Sequence, residues 1–278
     1  METNTLLSSK YLYHYTDNKG KFISILKNGF YPAWSLEDTD KVFQPSDNSV
    51  FIQNTEGGEK KEYPKYAFPM VCFCDIPLEL TENHRKVYGE YAIGLNKSWG
   101  EKHGISPVMY LTHRAFSQSS INKIYEFEYN FYKDIIKRCR GNYRNNDYTF
   151  TPLQLNSLIE NFIELSMFFK PYKGYFKKGE YECQNHKFYD EREWRYKPDN
   201  TQIPNSFKLE EEFEVLDSDD IVLKNSGSRL RFEINDIAEI IIPKNEKEEI
   251  IEVIKNMPEF KGFDFSKIKT WESIIETS

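Results

Sequence analysis

Two carboxylates and two guanidinium groups fall within five residues at Glu191-Arg192-Glu193-Trp194-Arg195. On a strand, successive side chains point to opposite faces, so Glu191, Glu193 and Arg195 would share one face and Arg192, Trp194 and Tyr196 the other. Two carboxylates one pleat apart beside a guanidinium can divide roles. The like charge raises one pKa while the arginine lowers its neighbour's. The plainer account is an exposed strand face laced with ion pairs. Trp194, opposite the glutamates, is expected to be buried and to anchor the strand.

Tyr13-His14-Tyr15-Thr16 is a second candidate, because a histidine flanked by aromatic rings can offer a ring nitrogen to a ligand hydroxyl or amide. A satisfied core histidine is the commoner outcome. A third is Cys72-Phe73-Cys74-Asp75-Ile76-Pro77-Leu78, followed by His84, Arg85, Tyr88, Gly89, Tyr91 and Gly94. Glycines beside rings allow close backbone approach or tight packing. The chain has no GxGxxG, Walker A, HExxH or GxSxG motif. Asp217, Asp219 and Asp220 could be offered as a nuclease metal cluster, but an acidic loop explains them as well. No metal site is expected.

These residues need elements to position them. Lys10 to Tyr15 reads as a strand, with Asp17 or Asn18 capping a helix through Phe22, Ile25 and Leu26 that stops at Gly29. Residues 35 to 65 are polar and read as a long surface loop. Met70 to Ile76, Tyr91 to Leu95, Pro107 to Thr112, Lys187 to Tyr196 and Ile237 to Ile242 read as strands. Leu78 to Tyr88, Lys97 to His103 and Glu246 to Met257 read as helical. A mostly helical insertion spans about 115–170, with an apolar face of Leu155, Leu158, Ile159, Phe162, Ile163 and Ser166. Strands with helices inserted, without strict alternation, indicate a single α+β domain over 1–278.

Composition narrows the class. The hydrophobic share is only 39%, but 21 Phe, 19 Tyr and 4 Trp can build a core because each ring buries a large area. A net charge of -7 argues against a surface devoted to nucleic acid, although Lys133, Lys137, Arg138, Arg140 and Arg144 form a basic run. The four cysteines match no zinc or redox spacing and are expected to be buried free thiols, Cys72 and Cys74 on one strand face. No basic leader precedes an apolar stretch and no run is long enough for a bilayer, so a cytoplasmic protein without membrane contact is expected.

Tyr13 to Thr16, Cys72 to Leu78, His84 to Leu95, Trp99-Gly100, Gly104-Ile105, Pro107-Val108 and Phe188 to Arg195 together resemble the AbiGi-type abortive phage resistance proteins. The last segment follows a Lys-Pro-Tyr step, here Lys170-Pro171-Tyr172, as it does in that family. The likeness spans roughly residues 11 to 245 and implies an anti-phage role, in a family often labelled antitoxin. More distantly the chain resembles His-Tyr-Glu ADP-ribosyltransferases. That likeness implies an ADP-ribosyltransferase-like mixed sheet with inserted helices and NAD as substrate. It implies Glu193, Glu191 and His14 as catalytic residues, and NAD contacts from His14, Tyr15, Thr16, Tyr88, Tyr91 and Arg195. Either Tyr88 or Tyr91 would stack on the nicotinamide. The implied reaction is ADP-ribosyl transfer to a nucleic acid or protein. The alternative is a non-catalytic antitoxin or sensor that binds a cognate toxin or a phage protein.

Overall fold

Alternation of tyrosines with Leu12, His14 and Thr16 makes Tyr11–Thr16 a strand, β1, with both faces committed: Leu12 enters one apolar cluster while Tyr13 and Tyr15 enter another. The Asn18 side chain then accepts from the Lys21 N–H and caps helix α1, Lys19–Asn28, which buries Phe22 and Leu26. The computed structural model describes residues 8–37, 65–112, 152–199, 206–217, 221–224 and 227–275. Strands β2, Ala33–Glu37, and β3, Tyr66–Cys74, pair antiparallel. Ser35 to Glu37, expected in a loop, are therefore strand; residues 38–64 of that loop lie outside the described residues, as do the basic run, Cys139, Asp219 and Asp220.

Helix α2, Glu82–Tyr88, leads into β4, Tyr91–Asn96, and helix α3, Lys97–Lys102. The expected strand from Pro107 to Thr112 is split into β5, Ser106–Pro107, and β6, Met109–Leu111. Helix α4, Pro152–Ser166, buries Ile163 and Ser166, but Leu158 is 48% exposed. Five residues turn a helix about 140° past Ile163, which takes Leu158 off the packed face. The side chains of Leu155 and Ile159 lie outside the description.

Short strand β7, Phe169–Pro171, pairs parallel with β6. A separate hairpin follows, β8, Gly174–Lys178, and β9, Tyr181–His186. The segment expected as one strand from Lys187 to Tyr196 is instead a 3₁₀ turn, Phe188–Glu191, then Arg192 at φ 43°, then β10, Glu193–Tyr196. After β11, Lys208–Leu209, and α5, Glu210–Glu214, the chain forms β12, Ile237–Ile242, α6, Lys247–Lys255, β13, Ile268–Thr270, and α7, Trp271–Ile275.

The main sheet runs β13-β12-β4-β1-β3-β10-β5, with β2 and β11 also on β3. Only β12 with β13 is parallel there; the other pairings are antiparallel, giving a mixed sheet in an α+β arrangement. Its larger core cluster gathers Phe22, Phe30, Phe73, Ile93, Trp99 and Ile240. Trp194 is only half-buried, with the Lys97 ammonium 6.0 Å from its ring. The reason is its place near the sheet edge, where β10 is flanked by the two-residue β5.

Gly89 closes α2 against the turn after β1. It adopts φ 103°, and a Cβ there would stand 2.3 Å from the Asp17 backbone. Gly89→Ala therefore combines a disfavoured dihedral with a backbone clash. It is expected to destabilise the protein by about 2–4 kcal/mol, read as a fall in melting temperature. An unchanged melting temperature would show that α2 can move off β1 freely.

Candidate functional site

Strand β1 pairs with β4 over its whole length, but with β3 only at Tyr13–Cys74. Beyond that pair the His14 ring takes over: its Nδ1 lies 2.9 Å from the Cys72 carbonyl oxygen, which can only accept, so Nδ1 carries the proton and Nε2 is left as an acceptor. Where β1 leaves β3 a cleft of about 1230 Å³ opens. That exceeds the usual size of a drug-like ligand site and is roomy enough for a dinucleotide. His14, Thr16, Tyr88, Glu191, Glu193 and Arg195 all line it.

Arg195 is 1% exposed and sits at the base of this cleft. Its Nε donates to Glu193 Oε1 at 2.7 Å, its Nη2 to Glu37 Oε2 at 3.1 Å and Glu193 Oε2 at 3.2 Å, and its Nη1 to the Met167 carbonyl. Lys170 then links the two expected glutamates, donating to Glu191 Oε2 at 2.7 Å and Glu193 Oε2 at 2.8 Å. Glu191 Oε1 also accepts from the Tyr88 hydroxyl at 2.9 Å and lies 3.0 Å from His186 Nε2. The Glu193 backbone N–H donates to the Tyr110 hydroxyl oxygen at 2.8 Å.

Glu191 and Glu193 do converge, but not by strand alternation. The 3₁₀ turn and the left-handed Arg192 rotate Glu191 back beside Glu193, an arrangement that costs about 1–2 kcal/mol for a residue with a Cβ. Such strain persists where surrounding contacts over-determine it, here the bonds to Tyr88, Lys170 and His186.

Electrostatics follow from the packing. Burial alone raises a carboxylate's pKa, yet Lys170 and the His186 hydrogen bond outweigh it and hold Glu191 at about 2. Burial is likewise overcome at Glu193 by Arg195 and Lys170, which hold it well below the usual carboxylate range. Glu37 goes the other way: desolvation raises it despite Arg195. Desolvation, with the Lys178 charge, lowers His14 to about 4 against the opposing hydrogen bond to Cys72. His14 is thus neutral near pH 7.

Several expected contacts fall elsewhere. Tyr91 does not line the cleft; its ring packs on Phe22 at 5.3 Å and its hydroxyl donates to Glu246 at 2.8 Å, because β4 alternation turns Tyr91 into the larger core. Tyr15 reaches the wall, but its ring is buried between His84 and Trp271. Arg195 is a buried brace whose donors are engaged by Glu193, Glu37 and Met167, not an open ligand contact. Cys74 is buried, whereas Cys72 is exposed on the cleft floor and Cys183 is half-buried. Although Cys72 opens onto the cleft, the protein around it desolvates its thiol and, with the Glu193 charge, raises it well above its usual value, so it is protonated near pH 7.

Glu37, Lys170, His186 and Lys178 were not legible as site residues. Glu37 lay in a segment read as loop, and Lys170 stood out only through its place in Lys170-Pro171-Tyr172. Among the described residues no group of His, Cys, Asp and Glu is placed to hold a metal, and no helix is long and apolar enough to cross a membrane.

The sequence profile of the family described as "Putative abortive phage resistance protein AbiGi, antitoxin" matches residues 41–243. The chain belongs to the AbiGi family. A curated AbiGi protein, "Abortive phage resistance protein AbiGi" of Lactococcus lactis subsp. cremoris, is 26% identical over 250 residues, covering 78% of this chain and 92% of the relative. No solved structure matches. The span shared with the AbiGi profile contains Lys170, Glu191, Glu193 and Arg195, while His14 and Glu37 precede it.

Two measurements check this site. Because His14 is depressed from 6.5 to about 4, its contribution to stability is full above about pH 6.5 and is lost as pH falls through about 4. NMR titration of its ring should find a midpoint near 4; a midpoint near 6.5 would place the ring in open water. Lys170→Met leaves buried Glu191 without its lysine and Glu193 with Arg195 as its remaining cation, and should cost about 3–5 kcal/mol in denaturant melts. The loss should shrink as pH drops from about 4.5 towards about 2, where Glu191 protonates. A pH-independent loss would mean that Lys170 acts through packing alone.

Proposed function

We propose that this chain acts in abortive phage resistance by binding NAD in the cleft and transferring its ADP-ribosyl group to a nucleic acid or protein acceptor. The observation that supports this reading most is the convergence of His14, Tyr88 and the Glu191–Glu193 pair on one cleft large enough for a dinucleotide. In such a reaction the C1′–N bond to nicotinamide breaks with its electron pair leaving on nicotinamide. The acceptor nucleophile then bonds to C1′ and gives up its proton. Positive charge develops on the ribose, and an ionised carboxylate beside it stabilises that charge.

Each residue has a role that its environment suits. The neutral His14, with Nδ1 bonded to the Cys72 carbonyl, presents Nε2 as an acceptor for a ribose hydroxyl or an amide N–H. Tyr88 is stacked on one side by His84 at 4.3 Å, and nicotinamide would take its other face by displacing the Lys178 ammonium that now lies 3.9 Å from the ring centroid. Glu193 faces the ribose, and Glu191 serves the acceptor side, bonded through His186 to the Tyr181 hydroxyl at 3.3 Å.

A second reading is favoured by one observation. Glu193 already has Arg195 and Lys170 as partners, so its charge is largely compensated before any ligand arrives. On that reading the cleft is a recognition groove without turnover, and the chain is an antitoxin, as the family description has it, that binds a toxin.

NAD titration by calorimetry, with nicotinamide release followed by chromatography, decides between them. Glu193→Gln keeps the shape and should leave NAD binding intact while lowering turnover about 100- to 1,000-fold and abolishing phage protection. Glu191→Gln should impair transfer more than NAD hydrolysis. Full protection by Glu193→Gln would rule out the transferase and leave the antitoxin reading.

A further inference from the structure

The hairpin formed by β8 and β9 brings Tyr175, Phe176, Lys177 and Lys178 to the cleft. Lys177 is paired with Glu182 at 3.7 Å. Lys178, the next residue, forms no ion pair among the described residues; its ammonium instead lies 3.9 Å from the centroid of the Tyr88 ring. On the side of β1 and α1 the cleft presents Asp17, Lys21 and the neutral His14, and on the other side Glu191. Asp17 already lies 3.9 Å from Lys21, and Glu191 is bonded to Lys170, Tyr88 and His186. The mouth therefore holds two ammonium groups, Lys21 and Lys178, against a single carboxylate not bonded deeper in the cleft, Asp17, which already faces Lys21, beside an aromatic ring.

We propose that Lys178, with Lys21 across the mouth, binds the phosphate groups of a nucleotide whose ring system lies along Tyr88. The inference rests on the nucleotide reading of the cleft and deepens it by assigning the diphosphate end. Desolvation in the cleft mouth draws Lys178 below its usual pKa, only partly opposed by Asp17 and Glu191, so an anion arriving beside the ammonium would supply the compensation that water no longer gives it. A phosphate also matches the geometry of a lysine, which binds it as a point charge. The position fits the proposed chemistry: the Lys178 ammonium sits over the Tyr88 ring, whose hydroxyl is bonded to Glu191, so the diphosphate would lie next to the carboxylates without touching them.

The test is calorimetric titration of the whole chain with ADP-ribose, adenosine and inorganic pyrophosphate, in the wild type, Lys178→Gln and the charge-preserving Lys178→Arg. Melting temperatures confirm that the variants are folded. Lys178 stands on the exposed side of its hairpin with only its ammonium end turned into the cleft, so both should melt as the wild type does. Lys178→Gln is expected to weaken ADP-ribose and pyrophosphate about tenfold to a hundredfold and leave adenosine unchanged, while Lys178→Arg keeps most of the affinity. Equal ADP-ribose affinity in wild type and Lys178→Gln overturns the assignment of Lys178 but leaves the NAD reading standing. Binding of pyrophosphate but not ADP-ribose, lost in Lys178→Gln, supports the anion site and overturns the NAD reading. If the wild type binds none of the anions, both are overturned.

Discussion

A fully buried guanidinium organises this protein. Removing an arginine from water costs several kcal/mol, and the cost is offset only when its donors meet well-placed acceptors. Arg195 meets three groups from different parts of the chain: Glu193 on its own strand, Glu37 on β2, and the Met167 carbonyl just after α4. The strand carrying the paired glutamates, the strand read as loop and the end of the helical segment are thereby tied at one point. A one-residue slip of β10 on β3 would turn both Arg195 and Glu193 to the opposite face and leave Glu37 without its cation. The register Glu193–Cys74 and Arg195–Cys72 is therefore specified by charge as much as by apolar packing.

Lys170 extends that constraint from structure towards chemistry. Three carboxylates, Glu37, Glu191 and Glu193, share two cations, Lys170 and Arg195, and the sharing sorts their pKa values. Glu191 and Glu193 are held low while Glu37 is raised, although all three are close together. The same network makes the cleft floor rigid and holds both glutamates ionised at neutral pH. It also compensates much of their charge, and that balance is the physical question on which enzyme and antitoxin diverge.

The cleft itself exists because β1 is bonded along β4 but meets β3 at a single pair. A side chain, His14, replaces the missing backbone ladder, and its ring is set by the Cys72 carbonyl and by Phe30 and Phe73 at 4.9 and 5.8 Å. Gly89 lets α2 approach the turn after β1, which brings His84 and Tyr88 to the wall. Positioning here comes from tight packing on rigid elements, the condition a binding site needs.

Local chemistry by itself determined much of this. The alternation in Tyr11–Thr16, the cap at Asn18, the apolar run Ile237–Ile242 and the spacing of Ile250 and Ile254 each follow from short-range periodicity, and each element formed where its pattern stands. The residue types at His14, Glu191 and Glu193 singled those positions out as candidates, beside the plainer accounts of a core histidine and an ion-paired strand face. Tertiary structure decided the rest. Whether Tyr88 or Tyr91 faces the cleft depends on which side of β4 meets the core, and Tyr91 went inside with Ile93 and Leu95. Glu191 joins Glu193 through a left-handed turn at Arg192, which nothing in the residue type of an arginine announces. Glu37 and Lys170 became partners of Arg195 and the glutamate pair only because sheet pairing carried them there, across 158 and 23 residues of chain. Periodicity reports a residue's own element, whereas a buried charge is matched by whichever distant element the fold brings within hydrogen-bond reach.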